Sequence, residues 1–284
     1  MSRALPINKE LEQNYNLRLS RDDIDQVVAG WAARSQGTSA NAETIIDLAY
    51  GPDSEDRLDI FKSGARNAPL YVFVHGGYWQ SGNKSSYRFI AEPFLNAGID
   101  VALIGYPLCP TTSMSNIVEK ISLALVWIFR NADKMAVSAD RINLSGHSAG
   151  GHLAALTLCR DWSAVEDDLP VDLIKTGIPF SGLYDLEPLL HTSISDKLNL
   201  SDDEVVALSP IKLQAVSTAP VLAIVGGAET IEFHRQTREY QTHLSAQGIP
   251  IDSHIESGVD HFDLLNRLAS DDSQIFQSIV GWLK

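Results

Sequence analysis

Gly146-His147-Ser148-Ala149-Gly150 is the stretch on which the reading of this chain turns. It follows an apolar, β-prone run, Arg141-Ile142-Asn143-Leu144-Ser145, and opens an Ala- and Leu-rich run that continues to Leu158. A strand, a sharp turn and a helix in that order are what a nucleophile elbow requires. The flanking glycines let the backbone turn tightly enough to lift the Ser148 hydroxyl off a sheet. The helix that follows points free backbone N–H groups at incoming negative charge. The expectation is a serine nucleophile.

Outward from this point the chain alternates. Short apolar runs at Leu70 to Val74, Val101 to Ile104, Ile142 to Leu144, Ile174 to Phe180 and Val221 to Val225 are separated by helical patterns near 85–97, 115–135, 149–159 and 231–247. That order predicts an α/β fold, a mostly parallel central sheet flanked by helices on both faces. Upstream, Thr44 to Tyr50 and Arg57 to Lys62 are strand-like and separated by Gly51-Pro52-Asp53-Ser54, so an antiparallel hairpin is expected. Ser273 to Leu283 reads as a closing helix. Residues 1–42 are polar with weak helical spacing around Asp23 to Trp31 and a loose Ser, Thr and Asn segment after it, and read as an N-terminal arm packed on one domain spanning 43–284. Gly182 to Pro210 is too long to be a simple connection in a compact domain and is expected to form a small cap over the site.

Composition narrows the partners. The 284 residues are 44% hydrophobic and 20% charged, with no apolar run long enough for a membrane span. The formal net charge of −14 repels a duplex or an anionic lipid surface, so neither nucleic acid nor membrane is expected as a partner, and a small-molecule substrate is. A homodimer is left open. The first ten residues lack the apolar core of a secretory signal, which points to the cytoplasm. The two cysteines, Cys109 and Cys159, lie in apolar settings without paired spacing and read as buried thiols. His147 and His152 have no clustered carboxylates near them in sequence, so neither a metal nor another cofactor is expected.

A serine needs a base, and the base needs an acid to fix its tautomer. In a fold with this elbow the order along the chain is nucleophile, acid, base. His261, in Gly258-Val259-Asp260-His261-Phe262, follows the strand-like Ile251 to Ile255 and is the expected general base. The acid should follow Val221 to Val225, where the loop reads Gly226-Gly227-Ala228-Glu229-Thr230. Glu229 is the choice and Asp185, after the preceding strand, its rival. The strand Leu70 to Val74 ends in His75-Gly76-Gly77-Tyr78-Trp79, whose glycines leave backbone N–H groups unshielded. Gly76, Gly77 and Ala149 are therefore the expected oxyanion donors, and His75 the residue that orders their loop. A lone G-x-S-x-G says little, but joined to an upstream His-Gly-Gly and a late Asp-His in the right order it says much.

His75-Gly76-Gly77-Tyr78-Trp79-Gln80-Ser81-Gly82, Gly146 to His152, Asp161-Trp162, Ser181 to Pro188, Glu232 to Gln236 and Val259 to Phe262 together resemble the kynurenine formamidase (arylformamidase) family of the α/β-hydrolase superfamily. The resemblance spans residues 70–284, and the Tyr-Trp pair after the glycines is its most specific element. It implies an α/β-hydrolase fold and hydrolysis of N-formyl-L-kynurenine to kynurenine and formate, in tryptophan catabolism. It places Ser148 as nucleophile, His261 as base and Glu229 where the family carries an aspartate, which is the clearest departure. A formanilide would need room at Gly76, Gly77 and Ala149 and an aromatic wall beyond, for which Tyr78 and Trp79 are the candidates. A carboxylesterase or amidase acting on small aryl or acyl esters is the competing reading, because the same catalytic groups do not choose between ester and anilide. A catalytically silent receptor on this fold is a remoter one, since Ser148 and His261 are both kept.

Overall fold

A computed structural model describes residues 5–38 and 43–284. The described chain begins with α1 (Lys9–Tyr15) and α2 (Ile24–Thr38). It continues through the strands β1 (Glu43–Ala49), β2 (Arg57–Lys62) and β3 (Leu70–Val74), helix α3 (Ala91–Asn96), strand β4 (Asp100–Ile104) and the long helix α4 (Met114–Met135). Then come β5 (Ile142–His147), α5 (Ala149–Thr157), α6 (Trp162–Val165), β6 (Thr176–Phe180), α7 (Ser195–Leu198) and α8 (Asp202–Ala207). The chain closes with β7 (Val221–Gly226), α9 (Ile231–Ala246), β8 (Ile251–Glu256), α10 (Asp263–Leu268) and α11 (Gln274–Leu283).

The eight strands form one sheet in the order β1-β2-β4-β3-β5-β6-β7-β8. The first two pairings, β1 with β2 and β2 with β4, are antiparallel, and every pairing from β4 to β8 is parallel. This is the α/β-hydrolase arrangement. The five central strands β3 to β7 are buried along their whole length, whereas β1 and β8 are half exposed, as edge strands must be. Period-two alternation splits the core: Leu70, Val72 and Val74 face a cluster with α4, α5 and α9, while Tyr71 and Phe73 face Trp31, Phe94, Leu265 and Ile279 on the other side.

The hairpin forms at the expected place but is not regular. Its register slips between Ile45 and Leu48, where Asp47 takes φ 56° and its backbone N–H donates to the buried Asp59 carboxylate. Helix α4 starts at a serine cap, Ser113 accepting from the Asn116 N–H, and ends at Ala136 in the left-handed region. The C-terminal helix is tied down at its end, where Arg141, just before β5, donates to the Leu283 carbonyl at 3.0 Å.

Several expectations need adjusting. The segment after Trp31 is helical as far as Thr38, and the rest of the loose Ser, Thr and Asn stretch, like the first four residues, lies outside the described ones. The helical pattern near 85–97 is a 3₁₀ stretch, Lys84–Ile90, before α3, and α6 and α10 are too short for periodicity to reveal. Of the two free cysteines, Cys109 is buried and Cys159 is partly exposed. The stretch 182–210 carries a 3₁₀ turn, Glu187–His191, then α7 and α8, the last closed by a capping box between Ser201 and Glu204.

Candidate active site

The parallel strands point their carboxyl ends at one rim, and the loops leaving β3, β5, β7 and β8 converge there. At the end of β5, Ser148 sits at φ 57°, ψ −118°, a conformation that costs of order 1–3 kcal/mol for a residue with a side chain. Neighbours enforce it. The Ser148 N–H donates to the Phe180 carbonyl at 2.8 Å, and neither flanking glycine could carry a side chain. A Cβ on Gly146 would fall 2.2 Å from the Gly150 carbonyl oxygen, and one on Gly150 2.0 Å from that of Val74. The two glycines of the pentapeptide are therefore demanded by backbone packed against backbone.

The loop after β3 presses on the same spot. A Cβ on Gly76 would lie 2.8 Å from the His147 carbonyl oxygen and 3.1 Å from Ser148 Cβ, while Gly77 stands at φ 118° against Ser81. Among the described residues the backbone N–H groups of Gly76, Gly77 and Ala149 have no hydrogen-bond acceptor, so they are free to receive one. His75 orders this loop as expected. Its ring stacks on Tyr106 with centroids 4.3 Å apart, and its Nδ1–H donates to the Gly76 carbonyl at 2.8 Å. Burial pushes its pKa down to about 4, which keeps it neutral at physiological pH.

Glu229 and His261 meet across the loops after β7 and β8. His261 Nδ1–H donates to Glu229 Oε2 at 2.6 Å, and the other carboxylate oxygen accepts from the Gly226 N–H at 2.7 Å and from the Ser181 hydroxyl. A carboxylate on Nδ1 fixes the tautomer in which Nε2 is the unprotonated nitrogen, the form a general base needs. Asp185 does not compete. Its carboxylate faces Lys212 at 3.5 Å and caps the Glu187 N–H. Among the described residues Ser148 Oγ makes no hydrogen bond. Both groups are enclosed, Ser148 at 3% and His261 at 4% exposure.

Two further residues, both inside motifs quoted above, make contacts that the sequence did not mark. Ser181 bonds Glu229 from the end of β6, at φ 47°. His147, inside the pentapeptide, donates from Nε2 to the His261 carbonyl at 2.9 Å, with the two rings 4.4 Å apart. Burial first, then the neighbouring His261, holds the His147 pKa well below its ordinary value, so the ring that bonds the His261 carbonyl is neutral. Of the aromatic pair, Tyr78 is partly exposed, whereas Trp79 is fully buried, edge-on to His152 at 4.9 Å. Among the described residues no three His, Cys, Asp or Glu side chains group as metal ligands, and no helix is long and apolar enough to cross a membrane.

Comparison with known proteins follows the same lines. The BD-FAE family model matches residues 58–244. A kynurenine formamidase from Salmo salar is 28% identical over 99% of this chain and 98% of its own length. Another, from Drosophila melanogaster, is 30% identical over 84% of this chain and 81% of its own. Among solved structures, a candidate thioesterase from Silicibacter sp. TM1040 superposes with a TM-score of 0.83 at 32% identity, covering 95% of this chain and 98% of that one.

Proposed function

From the premise that this chain belongs to the BD-FAE family and to the kynurenine formamidase family of the α/β-hydrolase superfamily, we propose that it is a serine hydrolase that removes the formyl group of N-formyl-L-kynurenine. The observation that carries the chemistry is the Glu229–His261 hydrogen bond at 2.6 Å, with Ser148 held at a strained elbow next to His147, whose ring lies 4.4 Å from that of His261. The substrate comes from the relatives.

In this mechanism Ser148 Oγ attacks the formyl carbon and His261 Nε2 takes its proton. The negative charge that develops on the formyl oxygen is met by the free N–H groups of Gly76, Gly77 and Ala149, an arrangement in which each donor contributes about 3–4 kcal/mol. His261 then returns the proton to the aniline nitrogen as the C–N bond breaks, leaving a formyl ester on Ser148. Water, deprotonated by His261, hydrolyses that ester and releases formate. Glu229 stabilises the imidazolium in both halves. Tyr78 supplies the aromatic wall and Trp79 packs behind it, and the stretch 182–210 acts as the cap over a single catalytic domain, 43–284.

The similarity to a thioesterase-like structure favours one second reading, a carboxylesterase acting on small aryl or acyl esters. Steady-state kinetics on N-formyl-L-kynurenine beside p-nitrophenyl acetate separates the two. We expect a kcat/KM on the formamide above about 10⁴ M⁻¹s⁻¹, the lower edge of typical enzymes, and well above that on the ester. Fast ester cleavage with negligible deformylation would move the function to the esterase.

A further inference from the structure

The N-terminal segment reaches three of the four loops that carry the site, those after β3, β7 and β8, and it does so at the residues immediately beside the chemical ones. Thr230, next to Glu229, donates from Oγ1 to the Asn14 carbonyl at 2.8 Å. Tyr78, next to Gly77, donates its hydroxyl to the Tyr15 carbonyl. Asp260, next to His261, pairs with Arg21 at 2.7 Å, and Asp263 joins it at 3.1 Å. Farther up the segment, Glu12 accepts from the Ser193 N–H and hydroxyl in the stretch 182–210, at 2.8 and 2.6 Å.

Tyr15 is the hub. Its ring is fully buried, 6.0 Å from Phe233, which in turn lies 4.7 Å from the His261 imidazole. Its hydroxyl donates to Glu232 Oε2 at 2.7 Å and accepts from Gln236 Nε2 at 2.9 Å and from Arg235 at 3.2 Å. Gln236 passes the connection on, its Oε1 accepting the N–H groups of Tyr184 and Asp185. An arm that merely covered apolar surface would leave its polar groups in water. Here they are spent on the neighbours of the oxyanion glycines, the acid and the base.

We propose that residues 14–21 form a strap that sets the spacing between the oxyanion loop and the acid–base pair, with Tyr15 as a positioning residue. The proposal rests on the reading of Ser148, Glu229 and His261 given above. Misplacing a reacting group by about 1 Å can cost on the order of 10²-fold in rate, so a strap that fixes loop positions acts on turnover more than on binding.

The test uses the full-length chain carrying Tyr15→Phe, which keeps the ring and removes the hydroxyl, and Arg21→Gln, which cuts the tie to Asp260. Reactive serines are counted with a fluorophosphonate, and kcat and KM are measured per titrated site on N-formyl-L-kynurenine and p-nitrophenyl acetate. Ile279→Val, in the core on the far face, controls for a general loss of stability. The strap predicts that both variants lose at least about fivefold in kcat per titrated site on either substrate, with KM within about twofold. Ile279→Val should keep the wild-type kcat. Unchanged kcat per site in both strap variants, with only the melting temperature lowered, would overturn the proposal. Ser148→Ala, run in parallel, tests the layer beneath: if it still turns over, the triad reading fails, whatever the strap variants show.

Discussion

His152 offers a direct measure of how the interior of this protein treats charge. It is fully buried on α5, and because its Nε2 lies 2.7 Å from the Leu208 carbonyl, which can only accept, Nε2 carries the proton and Nδ1 has no partner among the described residues. Burial lowers its pKa to about 4, against about 6.5 for an unfolded histidine. The folded state thus resists a proton that the unfolded state takes up, so stability is intact above about pH 6.5 and is lost as pH falls toward 4. At 1.36 kcal/mol per pKa unit, the loss from this one side chain between pH 8 and pH 5 is about 2 kcal/mol, a sizeable part of the usual 5–15 kcal/mol of a folded protein. His152→Gln removes the titration while letting an amide N–H replace the bond to Leu208. Urea unfolding of both proteins across that range should show the variant losing about 2 kcal/mol less than wild type, on top of any constant offset. Curves that stay parallel within about 0.5 kcal/mol would mean that His152 charges in the folded state and that the reasoning is wrong.

Three other outcomes follow from the site. Glu229→Gln removes the negative charge beside the imidazolium and presents an amide to His261 Nδ1; by analogy with the corresponding change in serine proteases, kcat should fall by about 10³–10⁴-fold, and a loss under tenfold would remove Glu229 from the mechanism. Ser148→Ala and Ser148→Gly should both be inactive, but the glycine variant should be the more stable by about 1 kcal/mol, since only the alanine keeps a Cβ at φ 57°; equal melting temperatures would contradict the strain at the elbow. Gly150→Ala should fail to give folded protein at 37 °C, because its Cβ would meet main chain at 2.0 Å; a soluble, active variant would show that the β3 end is far more yielding than its packing implies.

The arrangement of the candidate site was legible in the sequence because each of its parts sits where an element ends and leaves a local mark. The elbow shows as glycines between an apolar run and a helical one, the oxyanion loop as paired glycines after a strand, and His261 as a histidine late in the chain after β8. Glu229 was legible by position, although the expected aspartate is missing there. Its extra methylene is used in the structure, where the carboxylate reaches the Gly226 N–H, the Ser181 hydroxyl and His261 at once. What could not be read is whatever depends on distant pairs. Tyr15 meets Glu232 across 217 residues, and Arg21 meets Asp260 across 239, with no periodicity to announce either. Trp79 illustrates another limit: a motif shows that an aromatic is present but not which way it turns, and this one turns into the core against His152.

The hydrogen bond from Arg141 to the Leu283 carbonyl also has a practical side. It anchors the last helix beside the start of β5, on the rim of the sheet opposite Ser148, so Leu283 lies about a strand length away from that serine. A surface attachment, fusion partner or affinity tag placed there would hold the enzyme with its working rim facing outward. The same addition at the amino end would pull on the segment that bonds Tyr78, Thr230 and Asp260, so immobilised preparations should differ in specific activity according to which end is tethered.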